Sequence, residues 1–480
     1  MSVDNKILRV QLRDGALTNF DSGRIHRALL GAARSVGGFG NSRVEGVNDF
    51  MFVDREKDDA IAAILSDMVV MGLNMDPRHH VPNFPPHIEK VQDIIVHVLR
   101  SYGFVDVADV YDVYRWGKHW VRAGVIPPEQ FVHNGYPDEK LKVIRKWNSD
   151  HGCDTVAGLN ELTRTGRMGP IIEESTVRYE SELDEAVSRF VERLDKGDTI
   201  RVILVAGPSS SGKTTTTLKV RQKLIDRGLK IKMMNLDDYF WPVNQHPTDW
   251  IADRDFETPH ALDYNLINRH LKALLEGQEI LMPAYDFKRG IRVEGERFKI
   301  EEDTILLLDC LHGLYPHMTT SVPASMKFKI YLENLNVLGE GLGQSGKHIR
   351  LTDVRILRRM VRDQTHRNHP ALNTVLHWEK VRKSELASII PFWGTVDTVV
   401  NGGLPFEIPA LKPLAMSIFP VEADFQPYSQ LADARIRFLR LKELLASVEP
   451  LDQATLDSIP GDSVIREFIG GSTMKIPHND

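Results

Sequence analysis

One octapeptide constrains this chain more than any other stretch. Gly207, Pro208, Ser209, Ser210, Ser211, Gly212, Lys213 and Thr214 follow the apolar run Val202 to Ala206 and lead into Thr215, Thr216 and Thr217. The spacing is G-x-x-x-x-G-K-[ST], set between a strand pattern and a helix pattern, the context that gives it meaning. Loop amides and the first N–H groups of the helix converge on one point and favour an anion there. A lysine at position 213 reaches the β/γ-phosphates, and the Thr214 hydroxyl suits Mg²⁺. The stretch from Gly207 to Thr215 is therefore expected to hold a nucleoside triphosphate together with Mg²⁺.

The 480 residues suggest two or three domains. A net charge of −6 argues against a general role on nucleic acid or on membrane surfaces. Only Cys153 and Cys310 are present, so no disulfide framework is expected and a reducing compartment is. The start lacks the apolar core of a signal peptide, and no apolar run approaches the ~18 residues of a membrane span. A cytoplasmic location is the expectation.

Strand and helix patterns alternate from 199 to 410: RVILVA, KIKMMN, TILLLD, MKFKIYL and DTVVN are the strands. This predicts an α/β fold with a mostly parallel sheet flanked by helices. Ligands of such sheets sit at the carboxyl ends of the strands. Asp237 follows KIKMMN and Asp309 ends TILLLD. A carboxylate there suits Mg²⁺ or its water shell at Asp309, and at Asp237 a base for an attacking hydroxyl. Arg355, Arg358, Arg359 and Arg362 lie on one predicted helix, with Arg367 just beyond, where a phosphate-covering lid is expected. Gly341 to Lys347 repeats G-x-x-x-x-G-K, but His348 replaces the hydroxyl and no strand leads into it, so it is not read as a second site.

Outside the sheet domain, residues 1 to 124 read as a hairpin and four helices, residues 125 to 198 as a linker and connecting segment, and residues 411 to 480 as a helical extension packing on the sheet domain.

Two family resemblances rest on these phrases. VQLRDG, FDSGRIHRALLGAA, KVQDIIVHVLRSYG and VADVYDVYR look like the ATP-cone domain, an allosteric ATP/dATP-sensing module. The likeness implies that Val10, Arg13, Asp14, Gly15, Ile25 and Arg27 line a nucleotide pocket. Leu12 stands where the family has a lysine. NLDDYF, the segment DFETPH to KRGIR, and LRRMVRD resemble the uridine kinase and phosphoribulokinase family of P-loop kinases. That resemblance implies Asp237 and Lys213 as catalytic groups beside Arg359 and Arg362. It implies Asp237, Tyr239, Glu257, Tyr285 and Arg359 around a small-molecule acceptor, with Arg367 near ATP. Uridine-phosphorylating members have Asp at the Glu257 position and a base-reading His at the Gly290 position. The implied activity is phosphoryl transfer from ATP to a hydroxyl of a nucleoside or sugar-containing compound. A 2-phosphoglycerate kinase-like enzyme and a non-catalytic ATP sensor are the alternatives. ATP or dATP is the implied effector, no membrane or nucleic-acid partner is expected, and homo-oligomerisation stays open.

Overall fold

The computed structural model describes residues 3–44, 47–52, 57–133, 135, 137–248, 254–287, 289–336, 338–339, 349–367 and 369–475. The second glycine-lysine stretch, Gly341 to Lys347, lies outside the described residues.

The chain opens with a hairpin of β1 (Arg9–Gln11) and β2 (Leu17–Asn19), antiparallel with Val10 opposite Thr18. Gly15 turns it at φ +84°. Four helices follow: α1 (Ser22–Ser35), α2 (Asp58–Asn74), α3 (Ile88–Ser101) and α4 (Val105–Arg122). The α1 helix starts where Asp21 accepts from the Gly23 amide, an N-cap that satisfies one of the free helix-end donors. Ile25, Leu29, Leu65, Val69, Ile95, Leu99 and Val107 form one core at helical spacing.

Helices α5 (Asp138–Asp150), α6 (Val156–Arg164) and α7 (Met168–Asp195) come next. The first two were not expected, and α7 does more than connect. Tyr179, Leu183, Val187 and Phe190 on α7 share a core with Ile203 and Val205 of the sheet. The central sheet is β3 (Val202–Ala206), β4 (Ile231–Asn235), β7 (Ile305–Asp309), β8 (Lys327–Glu333) and β9 (Thr398–Asn401). All five strands are parallel, in the order β4-β7-β3-β8-β9. They are the five runs the sequence marked. Every β3 residue is buried, as a central strand covered on both faces requires.

Helix α8 (Lys213–Asp226) follows β3, and α9 (Tyr264–Leu275) follows β4. A second hairpin, β5 (Ile280–Asp286) and β6 (Ile291–Phe298), stands apart from the main sheet. Helices α10 (Leu351–His366) and α11 (Ala371–Ser388) precede β9. The chain ends through α12 (Glu407–Ile418), α13 (Ala432–Ser447), α14 (Gln453–Ser458) and α15 (Arg466–Ile469). Leu411, Phe438, Leu445, Val464 and Phe468 from this region join the same core as α7 and the sheet.

The N-terminal helical domain docks on α11 and α10 through α4. Trp120 donates from Nε1 to the Ala387 carbonyl at 3.0 Å, and its ring packs against Tyr315 and Phe392. Arg382 pairs with Asp109 at 2.7 Å, and Arg350 with Asp106 at 2.7 Å. No described helix is long and apolar enough to cross a membrane.

Candidate active site

The parallel register builds the site. Asp309 lies opposite Asn235 on one side and Val205 on the other. The loop holding Asp237, the carboxylate of Asp309 and the loop after β3 therefore emerge side by side at the carboxyl edge.

The phosphate-binding loop turns through Ser210 at φ +59°, and Gly212 caps α8 at φ +95°. A Cβ on Gly212 would come within 2.3 Å of Val464, so no side chain fits. Lys213 folds back, donating to the Pro208 carbonyl at 3.0 Å. Burial lowers the pKa of its ammonium, and Asp309 and Asp237 pull it back up. Burial likewise pushes the Asp309 carboxyl up to about 7, against the attraction of Lys213 and a hydrogen bond from Thr214. Lys213, Thr214, Asp237 and Asp309 thus share one electrostatic environment. Among the described residues the buried Ser210 and Ser211 hydroxyls find no hydrogen-bond partner, which suits a cradle for phosphate oxygens.

The loop is clamped from behind. Ser209 turns its amide away from the cradle, donating to Glu385 at 3.0 Å, while its carbonyl accepts from Arg355 at 2.9 Å. Arg355 also pairs with Glu385 at 2.6 Å. Arg358 donates to the Ser210 carbonyl at 3.2 Å and pairs with Glu407 at 2.6 Å. Thr215 gives both its amide and its hydroxyl to Glu467, at 3.3 and 2.9 Å.

These contacts correct the expectation of a lid. Helix α10 is a packed wall, and Arg355 and Arg358, 1% and 0% exposed, are structural. Charges so deeply buried persist only with carboxylate partners, which Glu385 and Glu407 supply. Arg359 is the one that spans the site. It donates to the Ser209 hydroxyl at 3.1 Å, to Glu257 at 2.7 Å and to Asp363 at 3.2 Å. Asp363 also holds Arg362 at 2.8 Å and Arg367 at 3.7 Å. Burial alone would raise the Asp363 carboxyl, but Arg362, Arg359 and Arg367 outweigh it and hold it well below the usual range. Arg362 crowds Arg367 and, with burial, lowers it to about 10, while Asp363 and then Asp237 pull it upward.

On the other side, Tyr285, Phe240 and Phe287 form an aromatic group with centroids 4.9 to 6.2 Å apart. The Tyr285 hydroxyl is buried and finds no hydrogen-bond partner among the described residues. Asp238 accepts from the Tyr285 amide at 3.2 Å, tying this group to the Asp237 loop. Tyr239 differs from its expectation: it is fully buried in the core and its hydroxyl pairs with His270 at 2.8 Å. Arg292 donates to the Tyr239 and Phe240 carbonyls, fixing the loop from β6. Gly290 sits at φ +64°, a backbone conformation that L side chains rarely adopt, and a Cβ there would press on the Val243 side chain at 3.0 Å. His312 reaches the Glu257 carbonyl from Nε2 at 2.7 Å. Among the described residues no three His, Cys, Asp or Glu side chains form a metal cage.

In the N-terminal domain, Val10 and Ile25 lie in the core. Arg13 pairs with Glu89 and donates to Gln92 at 2.8 Å. Asp14 accepts from the Ala16 amide, and Arg27 from Nη2 reaches Asp21 at 3.2 Å.

Sequence reasoning missed Glu385, Glu407, Asp363 and Glu467. Asp363 alone carried a signal, standing four residues after Arg359 on the same helix.

Comparison with known proteins supplies independent evidence. Residues 202–339 match the phosphoribulokinase / uridine kinase family, and residues 8–119 match the ATP cone domain. A uridine kinase of Halobacterium salinarum is 29% identical over 163 residues, 34% of this chain and 62% of that protein. The chain thus spans under two thirds of that relative's length. A uridine kinase of Deinococcus deserti is 28% identical over 219 residues, 45% of this chain and 94% of that protein. A solved structure described as a possible uridine kinase from Bacillus stearothermophilus aligns with TM-score 0.31 at 13% identity, covering 46% of this chain and 100% of its own.

Proposed function

We propose that this chain, a kinase of the phosphoribulokinase / uridine kinase family carrying an N-terminal ATP cone domain, transfers the γ-phosphoryl group of ATP to a hydroxyl of a nucleoside or a related sugar-containing compound. The observation that carries this reading is the row of Lys213, Asp309 and Asp237 at the carboxyl ends of β3, β7 and the adjoining β4.

In this reading the loop amides and the hydroxyls of Ser210 and Ser211 cradle the phosphates, and Lys213 leaves the Pro208 carbonyl for the β/γ-phosphates. The hard oxygens of Thr214 and Asp309 fit Mg²⁺, which takes few protein ligands and completes its shell with phosphate and water. The ion, when bound, neutralises charge on the phosphates. Asp237 accepts the proton of the acceptor hydroxyl. Arg359 and Arg362 face the transferring group, where a fixed cation stabilises developing charge. Glu257 binds acceptor hydroxyls, and Tyr285 and Phe287 offer rings on which a base can stack. Because position 290 has no side chain, a base would be held here without the family's histidine. The ATP cone domain is the seat of regulation by ATP or dATP, through its contact with α11.

The test is ATP consumption by the full chain with Mg²⁺ against nucleosides, sugars, sugar phosphates and phosphoglycerates. Stimulation by one acceptor, abolished by Asp237→Asn, is the expected result. Tight ATP binding with no stimulation by any acceptor would overturn it in favour of a nucleotide sensor.

A further inference from the structure

The donors of Thr215 are already taken. Thr215 is the third residue of α8, so its N–H is one of the helix-end groups left without an intrahelical acceptor. Together with its hydroxyl it points to the pole of the helix that favours an anion. In this structure that anion is the carboxylate of Glu467, delivered from the far end of the chain by α15.

The delivery is built in. Glu467 is 5% exposed, and its neighbour Phe468 is fully buried with the Arg358 guanidinium 4.8 Å above its ring. Val464 fills the space beside Gly212. Outside the cradle, Asp462 pairs with Lys219 of α8 at 2.6 Å. Gly470 and Gly471 follow α15 at φ +85° and +73°, a conformation that L side chains resist. The carboxylate also acts electrostatically on Lys213 and Asp309 within the same site.

A carboxylate and a phosphate oxygen cannot both accept from the same two donors, and their like charges repel. We propose that Glu467 is an internal anion occupying a phosphate position of the nucleotide site, and that residues 460–471 form a latch the nucleotide displaces on binding. The latch lowers nucleotide affinity and makes it depend on whatever holds α15 against α10 and α12. The inference rests on the nucleotide reading of the loop given above.

Calorimetric titration of the full chain with ADP tests it, alongside hydrogen exchange over 460–471. Glu467→Gln removes the charge and keeps the shape, and should tighten ADP binding about tenfold, the scale of one charge-assisted hydrogen bond. Asp462→Asn loosens the latch at its surface end and should tighten binding in the same direction by less. ADP should speed exchange over 460–471 in the wild type. Unchanged or weaker ADP binding by both variants, or slower exchange on adding ADP, overturns the latch while leaving the kinase reading intact. No ADP binding by any folded form overturns both.

Discussion

Arg382 on α11 stands with Nε 2.7 Å from Asp109 of the cone domain and with Nη1 3.0 Å from Glu385. Glu385 in turn accepts the Ser209 amide of the phosphate-binding loop. One guanidinium thus links the two domains and the rear of the site. Asp109 also holds buried Arg100 at 2.6 Å. Replacing Asp109 with Asn leaves two buried guanidiniums short of charge, so stability should drop by about 3–5 kcal/mol. Urea unfolding of the full chain measures this, and an unchanged midpoint would show the link to be superficial.

Asp237 is expected to act in the transition state more than in nucleotide binding. Asp237→Asn should lower kcat by about 10²–10⁴-fold, the usual range for a general base. ATP affinity by titration should stay as it was. A parallel loss of ATP affinity would make Asp237 a binding group.

Arg359 joins Ser209, Glu257 and Asp363 with one planar fork. Arg359→Ala should reduce kcat/KM by about 10²–10³-fold, as for a lost transition-state donor. Arg359→Lys should recover little, since an ammonium cannot reproduce the fork. Full rescue by lysine would reduce the role to charge alone.

His312 gives a pH signature. Burial drives its imidazole down to about 4, from an ordinary 6.5, despite the Glu257 carbonyl. The folded state holds it neutral, while the unfolded chain takes a proton near pH 6.5. Its contribution is therefore intact above about pH 6.5 and is lost as pH falls towards 4, by up to about 3 kcal/mol. His312→Gln should flatten that part of the stability–pH curve, read from thermal midpoints between pH 4 and 8. Parallel curves for the two proteins would refute the assignment.

The parts of the fold that could be read in advance are those with a local signature. The five strands of the main sheet are short apolar runs, and α1 carries its own cap at Asp21. The β5–β6 hairpin was missed because it lacks such a run. Pro283 interrupts β5, and β6 alternates charged residues on a half-exposed ribbon. The arginines of α10 show the limit more sharply. Arg355, Arg358, Arg359 and Arg362 sit at nearly equivalent spacing, yet Arg355 and Arg358 brace the loop from behind while Arg359 spans its front. Helical periodicity places residues on a face; the neighbours packed against that face assign them work.

The amino-acid order by itself determined the phosphate-binding loop, the carboxylates at the ends of β4 and β7, and the α/β class. Each depends on residues within one strand–loop–helix unit, where backbone geometry follows from local chemistry. Only the tertiary structure decided which carboxylates neutralise the α10 arginines behind the loop and what occupies the donors of Thr215. Those partners come from other elements of the chain, 30 residues away for Arg355 with Glu385, 49 for Arg358 with Glu407 and 252 for Thr215 with Glu467. Such partners meet only after the cores have closed, because the energy of a buried charge pair depends on the packing that removes water around it.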